Sequence, residues 1–224
     1  MTTVVALTAL LFGAFIAPPD VVQGNAQRLM YLHVPAAWTA YLGFLIVLLA
    51  SLGVLFTRFR RSSDVARAAA EVGLALTALT LATGSLWGGL TWGTWWAWDA
   101  RVLSTVAMGL VYTIYLAARS LADEERGAPG VAVLGVIGFA IVPVVHFSVL
   151  WWRTLHQPPT ILAPQLNPPM DATMLFTLGA AVLAFTMLAL MAIALRTRGL
   201  AEGSVDVNQH SALHRGSTSE RALQ

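Results

Sequence analysis

WGGLTWGTWWAWD, running from Trp87 to Asp99, decides the architecture, because it separates two apolar runs that are each long enough to cross a bilayer. It holds five tryptophans and three glycines in thirteen positions. Tryptophan favours the membrane–water boundary, so one alone would be interpreted as an interfacial anchor. Five of them, among glycines that allow close backbone approach, form more aromatic surface than anchoring requires. The excess indicates a flat, apolar ligand lying against this segment.

The composition places the chain in a membrane. Of its 224 residues, 57% are apolar and 11% are charged, which leaves too little polar surface to enclose the apolar residues in a water-soluble globule. The absence of cysteine excludes disulfide bonds, thiolate metal sites and thioether-linked cofactors in this polypeptide. All thirteen basic residues are arginines scattered along short connections. The net charge of +2 therefore indicates membrane topology and argues against nucleic-acid binding.

Six apolar segments predict an all-α integral membrane protein with six transmembrane helices and an external tryptophan-rich segment. The first segment is short, about 24 Å as a helix against a hydrocarbon core of about 30 Å, and a cleaved signal peptide is its alternative interpretation. It lacks a preceding basic region and is followed by Pro18, which favours a retained span. The predicted spans are residues 2–17, 36–56, 65–86, 100–121, 130–150 and 172–195.

Prolines and polar residues mark the breaks around these spans. Pro143, inside the fifth span, predicts a kink in that helix. The prolines of residues 153–171 predict a connection without regular structure. The polar residues after the last span predict a membrane domain at 1–198 followed by a disordered cytoplasmic tail at 199–224.

The arginines are distributed unevenly across the predicted membrane. Ten of them fall on the connections after spans two and four or on the tail, and only Arg28, Arg101 and Arg153 fall on the other side. Because positive charge accumulates on cytoplasmic connections, we expect both termini in the cytoplasm. All eight tryptophans then lie at or near the outer face. This one-sidedness argues against anchoring as their only role, because an anchoring belt marks both interfaces.

Three outer connections bring together chemically useful side chains. The first brings His33, the second brings the tryptophans with Asp99 and Arg101, and the third brings Arg153 and His156. A planar macrocycle with a central iron, two carboxylates at one edge and an otherwise apolar surface would use each of these groups. Imidazoles suit opposite faces of the iron, tryptophan rings cover the macrocycle, and arginines pair with carboxylates. The pattern therefore indicates a haem site.

Several of these residues also have a structural alternative. Asp99 is well placed as the N-cap of span four. Arg101, in the first turn of that helix, opposes the helix dipole at a cost of about 0.3–1 kcal/mol, which favours a haem propionate over a lipid phosphate as its partner. Arg28 equally suits a lipid headgroup. His146, in the outer part of span five, is interpreted as a neutral, hydrogen-bonded structural histidine rather than an iron ligand.

The local sequence around the two outer histidines bears on their roles. His33 lies two residues before Pro35, which predicts an extended chain there, and a lone histidine in a connection is more often solvated than a ligand. Arg153 lies three residues before His156, so the two share a face only if this segment is helical.

The segment Trp92–Asp99, WGTWWAWD, resembles the WGxxWxWD signature of the haem-handling superfamily of cytochrome c biogenesis. Two further motifs, MYLHVPAAW at Met30–Trp38 and HFSVLWWRTLHQ at His146–Gln157, are similar to those of the CcmC family, also called haem exporter protein C. The three motifs occur in the order and spacing of that family. The likeness extends from about Gln23 to Met170 and through span six.

The resemblance implies haem b bound non-covalently, with His33 and His156 as its axial ligands and Arg28 and Arg101 as propionate partners. Arg153 is a further propionate candidate on its spacing alone, and His146 is a secondary candidate for contact with the iron. The expected haem-contacting residues are Trp87, Trp92, Gly93, Trp95, Trp96, Trp98, Asp99, Trp151 and Trp152.

The function implied by the resemblance is haem handling in cytochrome c maturation. We expect a multi-pass protein of the bacterial cytoplasmic membrane that presents haem at the outer face and transfers it to a haem chaperone. The expected partners are haem, the haem chaperone CcmE, the transporter subunits CcmA and CcmB, the small protein CcmD and membrane lipid.

Two other classes of function remain as alternatives. No enzymatic activity is expected, because the outer side offers no paired nucleophile and base. The enzyme alternative is a haem lyase of the cytochrome c synthetase type, whose larger relatives have more spans and further intramembrane histidines, where this chain offers only His146. A transporter membrane subunit anchored by its tryptophans is disfavoured, because the spans are expected to contain almost no buried charge, with Glu71 near the inner end as the exception.

Overall fold

The computed structural model describes residues 2–57, 60–122, 128–156 and 170–221. Most of the proline-rich connection, at 157–169, lies outside the described residues, so the prediction made for it stays a prediction. The described helices are α1 (Thr2–Ile16), a 3₁₀ helix (Asn25–Leu29), α2 (Met30–Thr57), α3 (Arg60–Thr91), α4 (Ala100–Leu121), α5 (Ala128–Gly138), α6 (Ile141–Trp151) and α7 (Ala172–Arg221).

The helices agree with the predicted membrane fold. α1 has 15 residues, which span about 22 Å and fall short of a hydrocarbon core of about 30 Å. The all-α membrane fold is therefore confirmed, with α1 as the short member of the predicted six. The described segments that are long and apolar enough to cross a membrane are Asn25–Thr57, Arg61–Thr91, Ala100–Leu121, Pro129–Trp151 and Ala172–Gly203.

α2 is the central helix, and it packs against α3, α5 and α7. Gly43 lets its backbone approach that of α3, because a Cβ atom there would lie 3.2 Å from the Cα atom of Gly73. The ring of Phe44 stacks on Tyr112 of α4 with a centroid distance of 3.6 Å. These contacts hold α2, α3 and α4 against one another and so determine which side chains meet at the ends of these helices.

The prediction of an extended chain at His33 is wrong, because α2 begins at Met30 and includes both His33 and Pro35. Pro35 removes one bond of the backbone ladder, and its ring crowds the carbonyl group four residues earlier, that of Tyr31. Met30 and Tyr31 are buried in a cluster with residues of α1 and α7, and this burial stabilises a helical start. The side chain of His33 is thereby carried by a helix instead of a connection.

The tryptophan-rich segment is part helix and part turn. α3 continues to Thr91, so the segment from Trp87 to Thr91 is helical and only residues 92–99 form the connection to α4. Gly93 has a φ of 71°, a left-handed conformation that favours glycine, and it reverses the chain directly after the helix. The segment therefore folds back against the end of the helix that precedes it.

The predicted kink in span five is confirmed. The helix is interrupted between Gly138 and Ile141, which separates α5 from α6. The ring of Pro143 conflicts with the carbonyl group four residues earlier, that of Phe139, so the interruption falls one turn before the proline. At the break, the Val142 N–H donates to the Phe139 carbonyl oxygen at 3.0 Å in a tighter, 3₁₀-type turn.

The C-terminal segment differs from its prediction. α7 continues as one helix to Arg221, where a disordered tail was predicted from residue 199. No proline follows Pro169, so nothing in the sequence prevents the helix from extending beyond the apolar part. At the end of the bundle opposite the tryptophans, Glu71 of α3 accepts hydrogen bonds from Arg196 of α7 at 2.6 Å and from Arg67 at 3.1 Å.

Candidate functional site

A cleft opens where α2, α3 and α4 meet the tryptophan-rich connection and the segment after α6. The space between its walls amounts to about 600 Å³ when the part that is open to solvent is included. Both His33 and His156 line it, although they lie more than a hundred residues apart in the chain. The predicted site residues that line the cleft are His33, Trp92, Trp95, Trp96, Arg101 and His156.

His33 is held by the facing side of α3. Its Nδ1 atom lies 3.0 Å from the carbonyl oxygen of Thr80 and 3.2 Å from the hydroxyl oxygen of Thr83. A carbonyl oxygen only accepts, so Nδ1 carries the hydrogen and donates it. In the neutral ring the other nitrogen, Nε2, then has a free lone pair. The ring of Trp87 packs edge-on against the imidazole at a centroid distance of 5.7 Å.

His156 is held by the carboxylate of Asp99. The Nδ1–H group donates to Oδ2 of Asp99 at 2.9 Å, and the ring of Trp92 packs edge-on at a centroid distance of 5.0 Å. The segment around His156 is not helical, so the conditional prediction that it shares a helical face with Arg153 does not apply. As at His33, a fixed Nδ1–H leaves the Nε2 lone pair free in the neutral ring.

Asp99 joins two parts of the chain through both of its carboxylate oxygens. Oδ1 accepts from the Val102 N–H at 3.0 Å, which confirms the N-cap prediction for α4. Oδ2 accepts from the Leu155 N–H at 3.2 Å in addition to His156. The segment that follows α6 is therefore attached to the start of α4 by one side chain.

Burial and hydrogen bonding determine the charges of this pair. Burial lowers the pKa of the His156 imidazole, and the hydrogen bond that the imidazole donates to the charged carboxylate of Asp99 only partly opposes the shift. Burial alone would raise the pKa of the Asp99 carboxyl, but hydrogen bonds from Val102 and His156 outweigh it and lower this pKa. At neutral pH the carboxylate is therefore charged and the imidazole is neutral, which is the combination that directs the hydrogen to Nδ1.

The tryptophan connection forms one wall of the cleft. The Ser85 hydroxyl donates to the Trp95 carbonyl oxygen and so attaches the connection to α3. The indole ring of Trp95 lies against Gly89, where a Cβ atom would be 2.8 Å from the ring. Its side chain is nevertheless 61% exposed, so a broad aromatic surface stays available to a ligand. Trp96 lines the same wall.

Arg101 places a guanidinium group in the cleft. Its Nη2 atom donates to the backbone carbonyl oxygen of His146 at 2.8 Å, and its buried Nε has no hydrogen-bond partner among the described residues. The group therefore keeps donors for an anionic ligand. The His146 ring does not line the cleft and packs edge-on against Tyr41 at a centroid distance of 6.3 Å. Its interpretation as a hydrogen-bonded structural histidine stays a prediction.

The remaining predicted residues do not line this cleft. Trp98 is 78% exposed and contacts Trp96 edge-on, at a centroid distance of 5.6 Å. Arg28 lies on the 3₁₀ helix, outside the cleft lining. Contact between these residues and a ligand stays a prediction. The same holds for the exposed residues that follow α6, which are Trp151, Trp152 and Arg153.

Several cleft residues were not predicted as site residues from the sequence, among them Tyr41, Thr80 and Gly84. Tyr41 follows His33 by eight positions, which is a helical repeat once α2 is known to begin at Met30. Thr80 and Gly84 precede Trp87 by seven and three positions, so they share its face of α3. The helical repeat of the sequence could have identified these residues. For Tyr41, this required knowing that α2 begins as early as Met30.

Comparison with known proteins identifies the family of the chain. The family model described as Heme exporter protein C matches residues 1–208. Heme exporter protein C of Bradyrhizobium diazoefficiens is 40% identical over 187 residues, which cover 83% of this chain and 71% of the relative. That of Escherichia coli K12 is 35% identical over 194 residues, covering 85% and 79%. A ccmC-like mitochondrial protein of cytochrome c biosynthesis from Marchantia polymorpha is 38% identical over 153 residues, covering 68% and 65%. The chain belongs to the Heme exporter protein C family.

Proposed function

We propose that the protein binds haem in this cleft as its cargo, with His33 and His156 as the two axial ligands. The observation that carries the proposal is the hydrogen bonding of the two rings. Each donates its Nδ1–H to a fixed oxygen acceptor, Thr80 or Asp99, and so keeps an Nε2 lone pair for iron. Two imidazoles with this tautomer in one cleft are the donor set of a six-coordinate haem.

The walls of the cleft suit the rest of the haem molecule. Trp95 and Trp96 offer apolar, aromatic surface to the macrocycle. Arg101 retains donors for a propionate, and it stays charged at any relevant pH. With no cysteine in the chain, binding is non-covalent, as expected for haem b that is later passed on.

We further propose that the cleft faces the outer side of the bacterial cytoplasmic membrane and that both termini are cytoplasmic. The distribution of arginines supports this orientation. The relatives are named haem exporters, which supports a role in haem delivery for cytochrome c maturation. Transfer to the haem chaperone CcmE, beside CcmA, CcmB and CcmD, is the delivery step that we propose, without bond-making chemistry by this chain.

The ligand assignment is tested by the absorption spectrum of the purified protein with haem. We expect a six-coordinate, low-spin spectrum that His33→Ala and His156→Ala each abolish. His146→Ala is the matched control, because it removes an imidazole near the cleft but leaves the carbonyl group that holds Arg101. An unchanged spectrum in both single variants would overturn the assignment.

A further inference from the structure

One face of α3 is shaped around the imidazole of His33. Thr80, Thr83, Gly84 and Trp87 follow one another at helical spacing, and each of them contacts this ring. The Thr80 carbonyl oxygen and the Thr83 hydroxyl oxygen accept its Nδ1–H, and the ring of Trp87 packs against it edge-on. We call this set of four residues the His33 cradle.

Gly84 provides the space in the cradle. A Cβ atom at this position would lie 2.9 Å from Cε1, 3.3 Å from Nδ1 and 3.9 Å from Nε2 of His33, and these are its three nearest atoms. A separation below 3.0 Å between carbon atoms is well inside van der Waals contact. Even the smallest side chain at Gly84 would therefore displace the imidazole, and it would meet nothing else as closely.

The cradle has little freedom to widen. Helices α2 and α3 meet backbone to backbone at Gly43 and Gly73, where an added Cβ atom would lie 3.2 Å from the opposite Cα atom. Because the packed helices resist separation, a methyl group at Gly84 has to be accommodated by the imidazole. Moving the ring costs the 3.0 Å hydrogen bond to Thr80 and also moves Nε2.

We propose that Gly84 is a positioning residue for haem binding: its missing side chain lets the His33 imidazole lie against α3 and present Nε2 to the cleft. This inference rests on the proposed function and extends it to a residue that itself need not touch haem. Outer partners of metal-ligating histidines typically change affinity by about 10- to 100-fold. We expect an effect of that size from one methyl group.

The first experiment compares Gly84→Ala with Gly109→Ala by haem titration and absorption spectroscopy of the purified full-length protein. Gly109 is the matched control, because a Cβ atom there would lie 3.7 Å from its nearest neighbour, an ordinary contact. We expect Gly84→Ala to lower haem affinity at least about tenfold and to lose the six-coordinate spectrum. Gly109→Ala should behave like the unmodified protein.

A second experiment separates displacement of the ring from general damage to the fold. In His33→Gly, added imidazole should restore the six-coordinate spectrum by filling the vacated space. The double variant His33→Gly/Gly84→Ala should also be restored by imidazole, because the free ring is not tethered to α2 and can shift around the methyl group. If imidazole restores the six-coordinate spectrum of His33→Gly but not that of the double variant, Gly84 has another role and the proposal is overturned.

The outcomes distinguish this inference from the proposed function. If Gly84→Ala keeps the original affinity and spectrum while His33→Ala loses them, the positioning role is wrong and the ligand assignment stands. If His33→Ala itself changes nothing, the ligand assignment fails first, and the role of Gly84 fails with it.

Discussion

The two halves of the cleft hold their histidines by different means. His33 is carried by α2 and donates to a backbone carbonyl oxygen of α3, whereas His156 lies outside the helices and donates to the Asp99 side chain. A backbone carbonyl can be neither titrated nor removed by substitution, while a carboxylate can. Helix packing therefore determines the position of the His33 imidazole, whereas a single hydrogen-bonded side chain determines that of His156. The His156 half should therefore be the more easily perturbed.

Among the variants that test this comparison, Asp99→Ala should have the largest effect on haem affinity. The substitution removes the acceptor of the His156 Nδ1–H and the bond that attaches Leu155. We expect haem affinity to fall by about 10- to 100-fold, with a spectrum in which only His33 remains as an axial ligand. Haem titration and absorption spectroscopy measure both changes.

A matched control separates this effect from the loss of a helix cap. Asp171 accepts from the Thr173 N–H at 2.8 Å at the start of α7 and contacts no histidine in the described structure. Asp171→Ala should thus cost about 1 kcal/mol of stability, as caps usually do, without changing the haem spectrum. Equal losses of haem affinity in the two variants would contradict a specific role for Asp99.

Acidification should release haem through the His156 half. Burial lowers the pKa of His156 below its ordinary value of 6.5, so its Nε2 takes up a proton only below that value. Haem affinity should therefore stay level as the pH falls to 6.5, and then decline by about tenfold per pH unit once the lowered pKa is passed. A spectroscopic pH titration checks this, and a decline that begins above pH 6.5 would contradict it.

Trp92→Ala should have a smaller effect, again on the His156 half. The edge-on contact between Trp92 and His156 is of a kind that contributes about 0.5–1.5 kcal/mol beyond its buried area. We expect haem affinity to fall by about two- to tenfold in titrations. Trp38→Ala is the control, because Trp38 is exposed, does not line the cleft and is not a predicted haem contact. The same loss in both variants would favour a general role in membrane anchoring.

Thr83→Val should have the smallest effect and test the robustness of the His33 half. The substitution removes the weaker acceptor of Nδ1–H, at 3.2 Å, and leaves the Thr80 carbonyl in place. A hydrogen bond of this kind contributes about 0.5–1.5 kcal/mol, so haem affinity should fall only a few-fold. Thr113→Val, on an exposed face of α4, is the control in the same titration. A loss of haem affinity as large as that expected for Asp99→Ala would contradict the inference that the His156 half is the more easily perturbed.

Local patterns predicted the parts of the molecule that depend on short-range physics. Apolar runs identified the spans, Pro143 predicted the break between α5 and α6, and the position of Asp99 before an apolar run predicted the N-cap of α4. The extended chain at Pro35 was wrong, since burial of Met30 and Tyr31 outweighs the local preference of a residue that precedes proline. Tertiary packing overrode a preference that sequence alone would follow.

The details of the cleft depend on contacts between residues that are distant in the chain. Gly84 meets the His33 ring only because α2 and α3 pack together at Gly43 and Gly73. Arg101 donates to the backbone carbonyl oxygen of His146, and the type of side chain at position 146 does not predict such a bond. Sequence reasoning could name the chemical groups of the site, but it could not assign these partners.

The sequence by itself determined that the chain is a helical membrane protein and that His33, His156 and the tryptophans belong to the same end of the bundle, because apolarity, charge bias and motif order are properties of the chain. Only the tertiary structure decided which nitrogen of each histidine is free. That choice depends on the oxygen atom facing Nδ1, a carbonyl of α3 for His33 and a carboxylate for His156, and each of these oxygens is brought there by packing between separate segments.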